Sequence, residues 1–194
     1  MRTHPPVRPA LLALGVGLTL QLTGCGGGAA PVSAPASAPQ AVDSASTVHN
    51  EADLAFVNGM HPHHQGAVTM SELAATRAGS QQVKDLAARI AQAQGPEMTR
   101  MERLAETWGT ELTAGHQHGD MDMSADSSAL EGLSGTAFDR AFLTRMTTHH
   151  EAALPMARAE VASGSSPQAK EMAQQIVEVQ QSEIAEMREL LAQL

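Results

Sequence analysis

The stretch Met60-His61-Pro62-His63-His64-Gln65-Gly66-Ala67-Val68-Thr69-Met70 returns as Met146-Thr147-Thr148-His149-His150-Glu151-Ala152-Ala153-Leu154-Pro155-Met156. Both copies read Met-x-x-His-His-x-x-Ala-x-x-Met, and they lie 86 positions apart. At that offset residues 53–108 align with 139–194 without a gap. Asp53 meets Asp139 and Phe56 meets Phe142. Lys84, Ala87, Ile90, Gln94, Glu97, Met101 and Leu104 meet Lys170, Ala173, Ile176, Gln180, Glu183, Met187 and Leu190. Agreement over this length identifies an internal repeat, so the fold has to use one supersecondary unit twice.

Each unit reads as two helices. Asp53, Phe56, Met60, His63, Ala67, Met70 and Ala74 recur at steps of three and four, one stripe on a helix turning 100° per residue. Val83, Leu86, Ile90, Gln94, Glu97, Met101, Leu104 and Trp108 make a second stripe, with Trp108 read as core. The turns are Ala78-Gly79-Ser80 and Ser163-Gly164-Ser165-Ser166-Pro167. In the latter, Ser166 is placed to cap a helix with Pro167 at its first position. Four amphipathic helices bury their apolar faces most economically as an antiparallel four-helix bundle. The expected fold is therefore all-α over residues 51–194, with no strand-like alternation. Pro62, Pro96 and Pro155 fall inside the helical stretches and predict kinks or a late helix start. Residues 109–137 read as a disordered loop between the repeats.

The first 50 residues have a different character. Arg2 and Arg8 precede a short apolar run from Ala10 to Leu22, as in an export signal over residues 1–24. The run ends in Leu22-Thr23-Gly24-Cys25, which resembles a bacterial lipobox, so Cys25 is the expected lipidation site. Residues 25–50 form a Gly-, Ala-, Pro- and Ser-rich tether. The expectation is an exported lipoprotein of the bacterial cell envelope, held to a membrane through its lipid. Cys25 is the sole cysteine, which excludes an intrachain disulfide and a cysteine ligand in the folded part. The formal charge is −9, and −11 without Arg2 and Arg8. Such a surface excludes nucleic acid as a partner and suits attraction of cations. The absence of Tyr and the few Phe leave no platform for stacking bases.

The stripes carry polar residues where a core needs apolar ones: His63 and His149 on the first helices, Gln94, Glu97, Gln180 and Glu183 on the second. A buried carboxylate has to be paired, metal-bound or protonated. Facing helices that direct His, Glu and Met inward are a common way to build a metal site. Adjacent residues on a helix point about 100° apart. His63 and His149 are therefore expected to face the bundle centre, and His64 and His150 a groove. Met60 with His64, and Met146 with His150, are i, i+4 pairs that reach a common ion. Thioether with imidazole favours Cu(I), and imidazole also accepts Cu(II). Met101 and Met187 sit one turn beyond Glu97 and Glu183 as further candidates. Glu97 and Glu183 serve equally well as ligands or as orienting partners of an imidazole. The loop repeats the two ligand types in His116, His118, Met121 and Met123. Met70, Met98, Met156 and Met172 are read as packing, and Lys84 and Lys170 as solvated.

Phe56-x-x-x-Met60-x-x-His63-His64-x-x-Ala67-x-x-Met70 followed by Ile90-x-x-x-Gln94-x-x-Glu97-Met98-x-x-Met101 resembles the DUF305 family. The second repeat resembles it too, through Phe142, Met146, His149, His150, Met156, Ile176, Gln180, Glu183, Ile184 and Met187. The resemblance implies a ferritin-like four-helix bundle in an exported protein, and some members resemble periplasmic copper-binding proteins used in copper tolerance. The leading expectation is a non-enzymatic copper-binding lipoprotein that sequesters copper or exchanges it with donor and acceptor proteins. A ferritin-like metal oxidoreductase is the alternative enzyme reading, although the Glu-x-x-His pairs of di-iron bundles are absent. A third reading is a metal-free interaction module whose inward His and Glu only pair with one another.

Overall fold

The structure, a computed structural model, describes residues 46–112 and 123–194, the latter with side chains from 127 onward. The export signal, Cys25, most of the tether, and His116, His118 and Met121 lie outside the described residues. Five helices follow in order: α1 (Glu51–Arg77), α2 (Gln81–Thr107), α3 (Met123–Glu131), α4 (Gly135–Ser163) and α5 (Pro167–Gln193). The four long helices are those expected from the two repeats. α1 packs along α2 and α4 along α5, and the two hairpins join mainly through α1 against α4. No described helix is long and apolar enough to cross a membrane.

Local chemistry sets the helix starts. Asn50 caps α1: its side chain accepts from the Ala52 and Asp53 amides, and Asp53 accepts in return from the Asn50 amide at 2.7 Å. Ser166 caps α5 by accepting from the Ala169 amide, with Pro167 opening the helix as its fixed φ allows. Asp53 and Asp139 then tie the hairpins to each other. Asp53 accepts from the Ser165 and Ser166 amides, both at 2.9 Å. Asp139 accepts from the Gly79 and Ser80 amides, also at 2.9 Å. Each carboxylate thus secures the turn of the opposite repeat, and the two arrangements correspond at the 86-residue offset. Gly79 is required by a close approach, since a Cβ there would lie 2.8 Å from the Cα of Gly135. Gly135 itself takes φ +62°, a left-handed conformation that suits glycine.

Two apolar clusters fill the bundle, and each draws on both repeats. One joins Met70, Leu86 and Ile90 to Phe142, Met146, Met187 and Leu190. The other joins Phe56, Met60, Met101 and Leu104 to Met172 and Ile176. The offset converts one set into the other, so the core has pseudo-twofold symmetry with neither hairpin complete alone. Trp108 is buried in the second cluster, as expected.

Two expectations are corrected. Helices α1, α2 and α4 run without interruption across Pro62, Pro96 and Pro155. A proline costs about 3 kcal/mol inside a helix, yet all three helices start well before their prolines, so the late helix start is overturned. The inter-repeat stretch also contains structure, because Met123–Glu131 form α3 and α4 begins at Gly135, inside the span read as a loop. Leu130 is fully buried in the first cluster and supplies the apolar anchor for α3.

Candidate metal centre

His63 and His149 meet across the α1–α4 contact, with ring centroids 3.7 Å apart and ring planes inclined by 45°. They are equivalent residues of the two repeats, so the pseudo-twofold axis passes between them. Both face the bundle centre, as the stripe requires. Burial pushes both well below the ordinary histidine value. The neighbouring imidazoles His64 and His150 lower His63 further, to about 3, and His63, His150 and His64 take His149 to about 2. Both rings are therefore neutral near pH 7, and all four of their nitrogens are buried without a hydrogen-bond partner. Each neutral ring leaves an N–H donor unsatisfied, at a cost of about 1–3 kcal/mol.

His64 and His150 do not open to a groove. Both are fully buried. His64 Nε2 lies 2.8 Å from Glu97 Oε2 on α2, and His150 Nε2 lies 2.7 Å from Glu183 Oε2 on α5. Each carboxylate is thus in direct hydrogen-bond contact with one buried imidazole of its own repeat. A neutral imidazole donating from Nε2 carries its lone pair on Nδ1. In both residues Nδ1 is buried and has no partner. A carboxylate fixing the tautomer of a ring whose other nitrogen is free is the usual outer support of a metal-ligating histidine.

The methionines converge by the same logic. Met60 precedes His64 by one turn, Met101 follows Glu97 by one turn, and α1 and α2 are antiparallel. Met60 and Met101 are fully buried in one cluster, Met146 and Met187 in the other. Each repeat therefore contributes two buried methionines from the same helix pair that carries its pinned imidazole. Among the described residues no three His, Cys, Asp or Glu side chains group as a metal cage. Met123 opens α3, away from these half-sites in sequence.

Gln94 and Gln180, which lie on the inward stripes of α2 and α5, fall outside the expected ligand set. Both are buried and leave Oε1 without a partner. Their signal was the recurrence of an amide in an otherwise apolar stripe. Asp53 and Asp139 gave a similar signal, and their partners lie on the other hairpin.

A family model described as a domain of unknown function, DUF305, matches residues 53–191. A DUF305 protein from Streptomyces coelicolor, described as secreted, has 31% identity and a TM-score of 0.69, covering 73% of this chain and 91% of that one. CopM in its Cu(II)-bound form has 30% identity and a TM-score of 0.65, covering 73% and 96%. A DUF305 fragment from Deinococcus radiodurans has 27% identity and a TM-score of 0.67, covering 75% and 98%. CopM is also known in a Cu(I)-bound form, with 30% identity, a TM-score of 0.62 and coverage of 71% and 93%. No curated protein matches at a significant level. With the family model spanning both repeats, the chain belongs to the DUF305 family.

Proposed function

We propose that this chain binds copper through its paired His/Met half-sites and holds the ion as cargo, for sequestration, transfer or copper tolerance. The observation that carries the reading is the set of buried imidazole nitrogens without partners, two of them on rings pinned by Glu97 and Glu183. In this reading His64 and His150 bind through Nδ1, Met60, Met101, Met146 and Met187 supply thioethers, and His63 and His149 offer a further pair on the axis. Cu(I) is the favoured ion for thioether with imidazole, and Cu(II) is accepted by the imidazoles. The similarity to CopM, known with both copper ions, supports the choice of metal. The lipid anchor at Cys25, the export signal and the ligands His116, His118, Met121 and Met123 belong to the same proposal, in which a tethered domain loads and unloads copper at the cell envelope. Removal of water from the half-sites by the clusters around them disfavours hard, strongly hydrated ions.

The test is an anaerobic Cu(I) competition titration of residues 26–194 against a chromogenic chelator, with Zn²⁺ and Fe²⁺ in parallel. Selective Cu(I) uptake is expected, strongly weakened when His63, His64, His149 and His150 are replaced together. Equal affinity in that variant would remove the site. The closed His64–Glu97 and His150–Glu183 hydrogen bonds specifically favour a second reading, a metal-free helical interaction module. Uptake of no metal by the full domain would select it. The free Nδ1 atoms and the unpartnered His63–His149 pair favour the copper reading.

A further inference from the structure

Near the C-terminal end of α4, about three turns beyond His150, Glu160 is buried to 1% exposure. Its carboxyl group lies in the notch over Gly164, where any Cβ would collide with it. It is within hydrogen-bonding reach of Asp53 on α1. No N–H or O–H elsewhere among the described residues reaches either Glu160 oxygen. Two carboxylates hydrogen-bond each other only if one carries a proton. Asp53 already accepts from the amides of Asn50, Ser165 and Ser166, which favours its ionised form. Glu160 has no such donors, so the proton belongs to Glu160.

We propose that Asp53 and Glu160 share one proton, carried by Glu160, and that it acts as a pH-sensitive latch joining the start of α1, the end of α4 and the α4–α5 turn. Asp53 from α1 and Lys170 from α5 are the charged groups facing Glu160. Asn50, Ser163, Ser165 and Ser166, polar neighbours at this end, are uncharged, and Glu51 beside them is exposed. Burial, then the hydrogen bond and charge of Asp53, raise Glu160 to about 8, against the opposing effect of Lys170. A cavity of about 260 Å³, lined by Phe56, Met156, Ala159 and Ser163 among others, reaches Glu160 between α1 and α4 and provides a route for the proton. The device exists in one half of the molecule only. At the equivalent positions of the other half, Ala74 replaces Glu160 and Ala78 replaces Gly164.

The sign follows from linkage. Glu160 is protonated in the folded chain up to about pH 8, whereas its ordinary value is 4.5. Unfolding between these values releases a proton, so stability contributed by the latch falls as pH rises and levels off above about 8. Below about 6.5 the buried histidines add an opposite slope, so the range from 6.5 to 8 isolates Glu160. The experiment is denaturant unfolding of the full chain without added metal across that range, for wild type and Glu160→Gln. The amide of Gln donates to Asp53 at every pH. Relative to Glu160→Gln, the wild-type unfolding constant is expected to rise toward tenfold per pH unit. Parallel pH profiles would overturn the shared proton. If Glu160→Gln does not fold, infrared spectroscopy of the wild type decides: a protonated-carboxyl band at neutral pH that disappears above pH 8 supports the proposal, and its absence overturns it. The latch itself is read from amide exchange. Above pH 8 the protection factors of Ser165 and Ser166 should fall relative to those of Gly79 and Ser80, which Asp139 holds without a second acid. An unchanged ratio would show that the proton fastens nothing.

Discussion

His63 and His149 are expensive residues. Their rings are buried, neutral and unpartnered, where leucine would satisfy the core without orphaned nitrogens. Replacing both by Leu should stabilise the metal-free protein by about 1–3 kcal/mol per ring while weakening Cu(I) binding, as measured by urea unfolding and chelator competition on the same samples. Unchanged binding without a gain in stability would mean that the rings are packing elements. The pair also sets an acid limit. Both folded values are depressed, to about 3 and about 2, against an ordinary 6.5. Their contribution to stability is therefore complete above pH 6.5 and is lost as pH falls toward 3. The double Leu variant should show a shallower acid slope than the wild type in the same unfolding series. Glu97 and Glu183 act through the rings they hold. Replacing both by Gln should lower Cu(I) affinity about 10–100-fold with little change in thermal midpoint, whereas a purely structural role would lower the midpoint and leave affinity intact.

Between elements, the decisive contacts are the two carboxylate clamps. Asp139 satisfies the Gly79 and Ser80 amides at the entrance to α2, where the Ser80 side chain makes no cap bond of its own. Asp139→Ala should cost about 1–3 kcal/mol for the two donors left without an acceptor, measured by chemical denaturation. A change indistinguishable from zero would mean that water replaces the carboxylate without penalty. The repeat made the matching of Asp53 and Asp139 visible, and the helical period put both on apolar stripes. Neither signal named their partners, because those amides belong to the other hairpin, more than fifty residues away. The prolines illustrate the converse. Local propensity allows a late helix start at Pro62, Pro96 and Pro155, and burial of the preceding helix faces carries each helix past its proline instead. Helix α3 escaped notice for a related reason: its composition is polar, and its stability rests on docking Leu130 into a cluster built by other helices.

Across the whole molecule, the two apolar clusters each draw on both repeats. A single hairpin therefore exposes its part of each cluster. Residues 46–112 expressed alone should be unfolded when dilute and should dimerise at higher concentration, with one copy standing in for the second repeat. Light scattering and concentration-dependent circular dichroism would check this, and a folded monomer would show that the clusters are not shared. The same symmetry explains why His63 and His149 touch: equivalent residues meet only on the axis. The Asp53–Glu160 pair breaks that symmetry and gives the two ends of the bundle different responses to pH.

The four long helices, the repeat and the inward histidines were legible in the sequence, because periodicity and duplication are local or one-dimensional properties. The sequence also sufficed for the family, through a pattern long enough to be specific. What required the tertiary structure were the pairings: which carboxylate orients which imidazole, which acid holds which turn, and which two acids share a proton. Those depend on groups brought together by packing from distant positions, and neither spacing nor propensity encodes the distance between them.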